Sequence, residues 1–486
     1  MSISGAMHAA LSGLSTTARG AEVVSTNIAN AQTEGYGRRE MQVAVRELGA
    51  TSQGVRVAGI VRHADPVAIS DRRLASAGTG ARTVASDFLQ RIETAVGTPD
   101  SEVSVNARIA AFERALIEAS SRPDSEARLN SVAQSAKNLV TQISTAASEV
   151  QLQRAKADDQ IEDEVARLNK ALAQVAELNT KVLASVGTGR DASGLMDQRQ
   201  QVIDAIAEII PLREVPRDGG KIALYSTGGA VLLDGSASAT FGFIPVGVIT
   251  PDMTLSSGAL SGLTINGQAI PTVAEGGLIS GGSLAAHFAL RDVLAPQMQE
   301  KLDAIARDLV ERFQDPALDP TRAVGDAGLF TDLGNPFLPA NELGLAQRLQ
   351  LNPIVDPTQS GALWKLRDGL GASAQGALGN AGLLNDLATA LTAQRAPVSG
   401  GFSVGTRSYD TLVADMVSGI AATRLTAQSE TSFAAARYDH LRTIELADGV
   451  DTDQEMQTLL LIEQAYSANA RVIKASSEMI QTLLGF

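Results

Sequence analysis

The sequence predicts an elongated, mainly α-helical protein with a small β-rich outer domain inserted mid-chain, and three patterns in its 486 residues carry that prediction. Apolar residues recur at heptad spacing at both ends. An interior run keeps the same spacing over about 60 residues. Between residues 216 and 282 the pattern changes to short β-prone runs (KIALYS, AVLLDG, ATFGFIPVGVI, GLTING) separated by Gly, Pro and Asp.

At the N-terminal end Ile3, Met7, Ala10, Leu14, Ala21, Val24 and Ile28 alternate by four and three, broken at Thr17. At the C-terminal end Leu459, Ile462, Tyr466, Ile473, Ile480 and Leu483 do the same, with Asn469 and Ser476 as polar interruptions. Stripes of this length are too short to hold an isolated helix, so each needs a partner: the other end of the chain or a neighbouring copy. The spacing therefore predicts terminal helices paired in a coiled-coil-like axial core. An ordinary intramolecular coiled coil in a monomer is the plain alternative, and the order of protease protection at the ends separates the two.

The remaining elements follow in order. NAQTEGYGRRE ends the first helix near Asn30, and short strands are expected over 43–46 and 55–61. Helix returns from Thr83. Ser121 with Pro123 and Asp124 reads as the start of the longest helix. In it Leu129, Val132, Ala136, Leu139, Ile143, Ala146 and Val150 keep heptads, and Ile161, Val165, Leu168, Leu172, Val175 and Val182 resume them after a skip near Ala157. Such a skip absorbs the drift of a straight helix against a seven-residue repeat. A helix over 193–210 ends at Pro211, and another from Leu284 to Leu309 should bend at Pro296. Further helices are expected from Asn380, over 408–447 and from Thr452, the last opened by a Thr452–Glu455 capping box after Asp448 and Gly449. The expected organisation is a terminal-helix unit (1–40 with 449–486), a rod-like helical body (41–215 with 283–314 and 376–448), the β-rich domain (216–282), and a loop-rich segment (315–375) of open membership.

A net charge of −14 argues against nucleic acid or an anionic membrane surface as partner. There are no cysteines, which removes disulfides, thiolate metal sites and cysteine nucleophiles. Aromatic residues are only 3% of the chain, a balance suited to helices packed through small side chains. No stretch reaches the roughly 20 apolar residues of a membrane span. MSISGAMHAALSGLS has no basic region before its apolar residues, so no cleaved signal is expected.

Chemistry is sparse. Gly401-Phe402-Ser403-Val404-Gly405 matches the nucleophile-elbow pattern, but QRAPVSG precedes it where a buried strand is required, so a loop is the expected state of Ser403. His8, His63, His287 and His440 show no metal-ligand spacing, and His8 lies beside the terminal seam. GTGRDASG lacks both the dinucleotide spacing and a phosphate-loop lysine. Asp197 and Arg199 are an acid–base pair by type, although at this spacing on a helix such residues more often bond their surroundings. No cofactor is indicated.

Two motifs carry a resemblance. ALSGLSTTARGAEVVSTNIANAQTEGYGRRE, with Asn27 and Asn30 closing Asn-Ile-Ala-Asn and Thr33, Gly35 and Tyr36 in Thr-x-Gly-Tyr, resembles the signature of bacterial flagellar rod, hook and hook-associated proteins. The C-terminal region, with Glu455-Met456, then Gln464, Ala465, Tyr466 and Asn469, then Glu478-Met479, resembles the matching end of that family. Residues 193–235 and 281–313 are similar to the hook-associated branch, which joins hook to filament; the resemblance is thinner over 235–275 and 315–375. It implies a non-enzymatic structural protein, exported by the flagellar type III route with its N-terminus uncleaved and assembled outside the cell. The implied partners are copies of itself in a ring, the hook protein, a second junction protein, and a cytoplasmic chaperone on the C-terminal helix before export. A hook or distal-rod protein is the nearest alternative, and a secreted hydrolase using Ser403 a remote one.

Overall fold

The structure is a computed structural model, and it describes residues 3–48, 51–98, 100–272, 276–447 and 449–485. Helix α1 (Ile3–Ala29) leads into an antiparallel hairpin of β1 (Arg38–Leu48) and β2 (Thr51–His63), which pair Arg38 with His63 and Val45 with Val55 across two irregularities. The strands extend well beyond the short runs expected: their outer ends carry Arg38, Arg39 and Arg62, which are held by ion pairs to Glu455 and Asp197 and give no apolar alternation.

Helix α2 (Pro66–Val96) begins 17 residues before the expected Thr83. Asp65 caps it by accepting from the amides of Val67 and Ala68, with Pro66 in the first turn, where its missing N–H costs nothing. Helix α3 (Val105–Ser121) follows, so Ser121 ends a helix and does not start one. The long helix α4 (Glu126–Gly187) starts after Ser125, and Pro123 sits in the intervening turn. Its 62 residues span about 90 Å at 1.5 Å per residue.

Helix α5 (Ser193–Ile209) delivers the chain to two small antiparallel sheets. The first is β3 (Leu212–Pro216), β4 (Ile222–Ser226), β5 (Val231–Asp234) and β6 (Ala237–Ser238); the second is β7 (Phe241–Gly242), β8 (Leu263–Ile265) and β9 (Gln268–Ile270). Helix α6 (Gly282–Ala289) runs through a π-type turn at Leu290–Leu294 into α7 (Ala295–Gln314). The irregularity expected at Pro296 is thus taken up in the preceding turn, where the proline ring would meet the carbonyl four residues back. The loop-rich segment carries β10 (Phe330–Asp332), α8 (Leu345–Arg348), β11 (Leu349–Leu351) and α9 (Lys365–Asp368). Then come α10 (Gly382–Thr392), α11 (Tyr409–Ala447) and α12 (Thr452–Leu484). The expected break at Asp448 lies outside the described residues. The N-cap of α12 is Asp451, which accepts from the amides of Asp453 and Gln454, so the expected Thr452–Glu455 box does not form. Glu455 is employed elsewhere.

Two apolar cores share α4. Its heptad residues from Leu129 to Val150 pack with α3, α7, α10, the first half of α11 and residues 329–370. Phe112, Phe313 and Phe330 meet there with ring centroids 5.0–5.9 Å apart. Its residues from Ile161 to Val175 pack with α5, α6 and both small sheets. The β-rich region is therefore seated on the second half of the rod and draws its core from it.

The skip near Ala157 has a physical cause: a polar layer separates the cores. Arg291 and Asp158, both fully buried, pair at 2.6 Å, and Arg291 also bonds Asp292 and the carbonyl of Ser261. Arg154 donates to the carbonyls of Arg291, Thr250 and Met253, while Asp158 accepts from the amide of Val246. Two arginines and one aspartate thus pin the loop after β7 to the rod.

Candidate assembly interface

Helices α1 and α12 pack together, and their register follows from two close approaches. A Cβ on Gly13 would lie 2.7 Å from the Asn469 amide nitrogen, and one on Gly20 would lie 3.2 Å from Ile462 Cδ1. Seven residues forward on α1 is seven back on α12, so the helices are antiparallel. Continuing the register sets Ala6 level with Ser476 and Asn27 level with Glu455. The contact line is therefore Ala6, Gly13, Gly20 and Asn27 against Ser476, Asn469, Ile462 and Glu455, and the absent side chains at Gly13 and Gly20 let the backbones close in.

This differs from an apolar seam in an instructive way. Asn469 and Ser476, the supposed interruptions, are at the contact, and Ser476 and Glu455 are the buried residues of α12. On α1, Ala10 and Val24 are buried, while Ile3, Met7, Leu14, Ala21 and Ile28 are half-buried. On α12, Leu459, Ile462, Ile473 and Ile480 are half-buried, whereas Tyr466 and Leu483 remain 45% and 67% exposed. The hairpin covers another side of α1: Ser12 Oγ accepts from the amide of Val55, and Met41 Cε reaches Gly20.

The Asn-Ile-Ala-Asn and Thr-x-Gly-Tyr residues form the clamp at the foot of this pair. Asn27, fully buried, accepts at Oδ1 from Tyr36 Oη (2.8 Å) and from the amide of Arg39 (3.0 Å), and donates to the Arg39 carbonyl. Asn30 donates to the Thr26 carbonyl and accepts at Oδ1 from Thr33 Oγ1. Gly35 has φ +75°, and a Cβ there would also press on Gln201 at 2.9 Å. Arg38 donates to Glu455 Oε1 at 2.7 Å, tying the strand to α12. Met456 and Ala465 point outward.

Asp197 is the residue whose role spacing alone did not give. It accepts from the amide of Gly37 (3.0 Å), from Arg39 (2.9 Å) and from Arg62 (2.7 Å), anchoring the clamp to α5. Arg199 turns the other way, donating to Asn179 Oδ1 and the Gly220 carbonyl, so the two are not an acid–base pair. Arg72 links Asp204 and Glu445, Arg73 links Asp204 and Glu214, and Arg442 reaches Glu34, so α2, α5 and α11 are laced to the foot of the terminal pair. A buried Asp following a helical turn, with arginines far away in sequence, offers no periodic signal.

The catalytic pattern dissolves in the structure. Ser403 lies in a loop before α11, and its hydroxyl and carbonyl both accept from the Arg407 guanidinium. Among the described residues no group of three metal-ligating side chains is brought together, and no helix is long and apolar enough to cross a membrane.

Helix α12 carries a second stripe. Leu461, Ala465, Ala468, Val472, Ala475 and Met479 again step by four and three, roughly a quarter turn from the line that faces α1. Leu461, Val472 and Met479 are 65%, 44% and 56% exposed. Among the described residues no element covers this second heptad face.

The chain ends thus close into one helix pair, with the helical body and the small sheets between them in sequence. The family described as flagellar hook-associated protein FlgK helical domain matches residues 89–319. The C-terminal family of flagellar basal body rod FlgEFG proteins matches 447–486, and flagella basal body rod proteins match 7–36. Flagellar hook-associated protein 1 of Salmonella typhimurium is 25% identical over 366 residues, 74% of this chain and 65% of that protein. The chain thus spans just under two thirds of that relative's length. The protein of the same name from Bacillus subtilis is 22% identical over 510 residues, 99% of this chain and 96% of the relative. A solved structure of the flagellar hook junction protein FlgK from Burkholderia pseudomallei is 18% identical, covering 54% of this chain and 46% of that one with a TM-score of 0.44. The chain is similar to flagellar hook-associated proteins 1, with family matches at both ends and through the helical body.

Proposed function

We propose that the protein is a structural subunit of the bacterial flagellum at the junction of hook and filament, assembled through its terminal helices after export. The observation that carries this reading is the exposed second heptad face of α12, apolar over about five turns beside an already formed helix pair. Such a face gains stability only against another helix, and a neighbouring copy supplies one. In the same reading the residues of the predicted seams and of the two motifs form the axial unit, the helical body surrounds it, and residues 216–282 face outward. Hook protein lies on one side and a second junction protein on the other. A cytoplasmic chaperone covers the C-terminal helix before export, since an exposed apolar stripe is an aggregation hazard. The role is packing, with no catalytic step.

Deleting residues 1–30 tests it. The expected strain is non-motile, builds hooks and sheds filament subunits into the medium; normal filaments in that strain would sink the junction assignment.

A further inference from the structure

Helix α11 leaves one aromatic ring in solvent. Phe433 is 74% exposed, on a helix whose residues Ile420, Arg424, Ala427, Thr431, Ala434, Tyr438, Leu441 and Glu445 keep heptad spacing toward α2. Ion pairs fix that register: Arg424 with Glu93 at 2.6 Å, Arg82 with Glu430 at 3.9 Å, and Glu445 with Arg72. Phe433 lies on the opposite face, flanked by the small residues Ser429 and Ala436. A lone exposed Phe costs roughly 2 kcal/mol of unrealised burial.

Between α4 and α5 there is a groove of about 300 Å³ with Ala171, Val202, Ala205 and Ile209 on its walls and Arg167 and Lys170 at its rim. Both rim side chains are exposed, and Arg167 also acts electrostatically on the buried Glu164 of its own helix. An apolar slot of this size takes an aromatic ring, and cations at its edge stack favourably on one.

The two features sit on opposite flanks of the body at nearly the same height. On α2, Arg82 faces α11 through Glu430, while Gly80 faces the other way, its Cβ position 3.5 Å from the Glu208 carbonyl of α5 and 3.7 Å from Ser283. Residues two apart on a helix point about 160° from each other, so at this level α11 and α5 pack on different faces of α2, while nearer the foot Gln200 of α5 reaches Glu445 of α11. The levels agree too: the α2–α11 register sets Phe433 beside residue 84, and the C-terminal end of the groove, at Ile209, lies beside residue 80.

We infer that Phe433 of one copy inserts into the α4–α5 groove of the next, a head-to-tail contact in the body that is separate from the terminal helices. Knob and slot on opposite flanks make a heterologous interface, which repeats from copy to copy and closes into a ring or continues as a helix. This contact rests on the assembly reading above, and it adds a partner surface that reading does not contain.

The chain has no cysteine, so the contact can be read by engineered pairs. The full-length protein carrying Phe433→Cys and Ala205→Cys replaces the native copy in cells, and isolated flagella are run on a non-reducing gel after mild oxidation. The expected result is a ladder of dimer, trimer and higher species, absent for either single variant. A dimer from Phe433→Cys alone means like faces meet and overturns the inference, as does a cross-link to a different protein. In parallel, Phe433→Ala and Ala205→Arg should each lower filament retention at least threefold with unchanged melting. Retention equal to wild type, or filaments present without a ladder, overturns the contact and leaves the assembly reading standing. Absence of the wild-type protein from flagella would instead sink the assembly reading.

Discussion

The middle of the rod and the terminal helix pair solve opposite problems. Around Arg291 and Asp158 buried charge is satisfied within one chain: the carboxylate holds a guanidinium and an amide, and the arginines hold carbonyls from the outer loop. Along α12, apolar side chains stand in solvent, with burial at Glu455 and Ser476. The first region is finished on folding. The second leaves an apolar stripe in water, the face that the proposed assembly would cover. A helix pair that small residues hold close, with a clamp of side-chain hydrogen bonds at its foot, keeps its shape while its outer face waits.

The comparison breaks most readily at the closed end. Asp158→Ala leaves Arg291, buried against Phe243 and Phe288, with Asp292 as its remaining carboxylate and frees the amide of Val246. Losing hydrogen bonds to a charged group while a second carboxylate remains costs about 1–3 kcal/mol. Chemical denaturation should show that loss together with release of the 243–261 loop to proteolysis, because Arg291 and Asp158 hold its backbone. A change below 1 kcal/mol would mean the polar layer is not sealed.

A comparable effect tests how complete the closure is. Glu164 on α4 is buried with Oε2 unpartnered, and His287 on α6 lies 3.9 Å from its other oxygen with Nδ1 unpartnered. Burial pushes the Glu164 carboxyl up to about 7, opposed by a hydrogen bond from Ser283 and by Arg167. Burial also pulls the His287 imidazole down to about 4. The folded state thus holds the Glu164 proton more tightly than the unfolded chain, so stability is full below about pH 4.5 and falls as pH rises through 7. For His287 the sign is reversed, and stability falls as pH drops from about 6.5 toward 4. Glu164→Gln should match wild type at pH 4 and exceed it by about 2–3 kcal/mol at pH 8, read from melting curves across pH. Parallel curves at both pH values would place the carboxyl in contact with water.

How much of this was legible beforehand depends on whether a residue's partner shares its helix. The heptads of α4 read directly, since Leu129 to Val150 and Ile161 to Val175 are buried as their spacing requires. Paired termini were legible for the same reason. The contact line was not, because Gly13, Gly20, Asn469 and Ser476 carry no hydrophobic signal, although their seven-residue spacing was there to be read. The start of α2 was missed because Pro66 and its Asp65 cap precede a stretch rich in Arg, Gly and Ser whose buried arginines answer acids on α5 and α11. Glu455 suited a capping box by position, and only the strand beside it, with Arg38, explains why it turned inward. Asp197 likewise needed the fold to bring Gly37, Arg39 and Arg62 to it.

The open end gives the smallest effect on the chain itself and the sharpest contrast with the rod. Val472 stands on the second stripe of α12 at 44% exposure. Val472→Lys exchanges a β-branched residue for a better helix former on a solvated face, so the stability of the isolated chain should stay within about 0.5 kcal/mol of wild type. In the assembled structure the same ammonium would be driven between apolar helices, where an unpaired charge costs several kcal/mol. Melting should therefore be unchanged while incorporation into flagella is lost. If instead melting falls and incorporation persists, the stripe packs within the chain, and α12 belongs with the closed core.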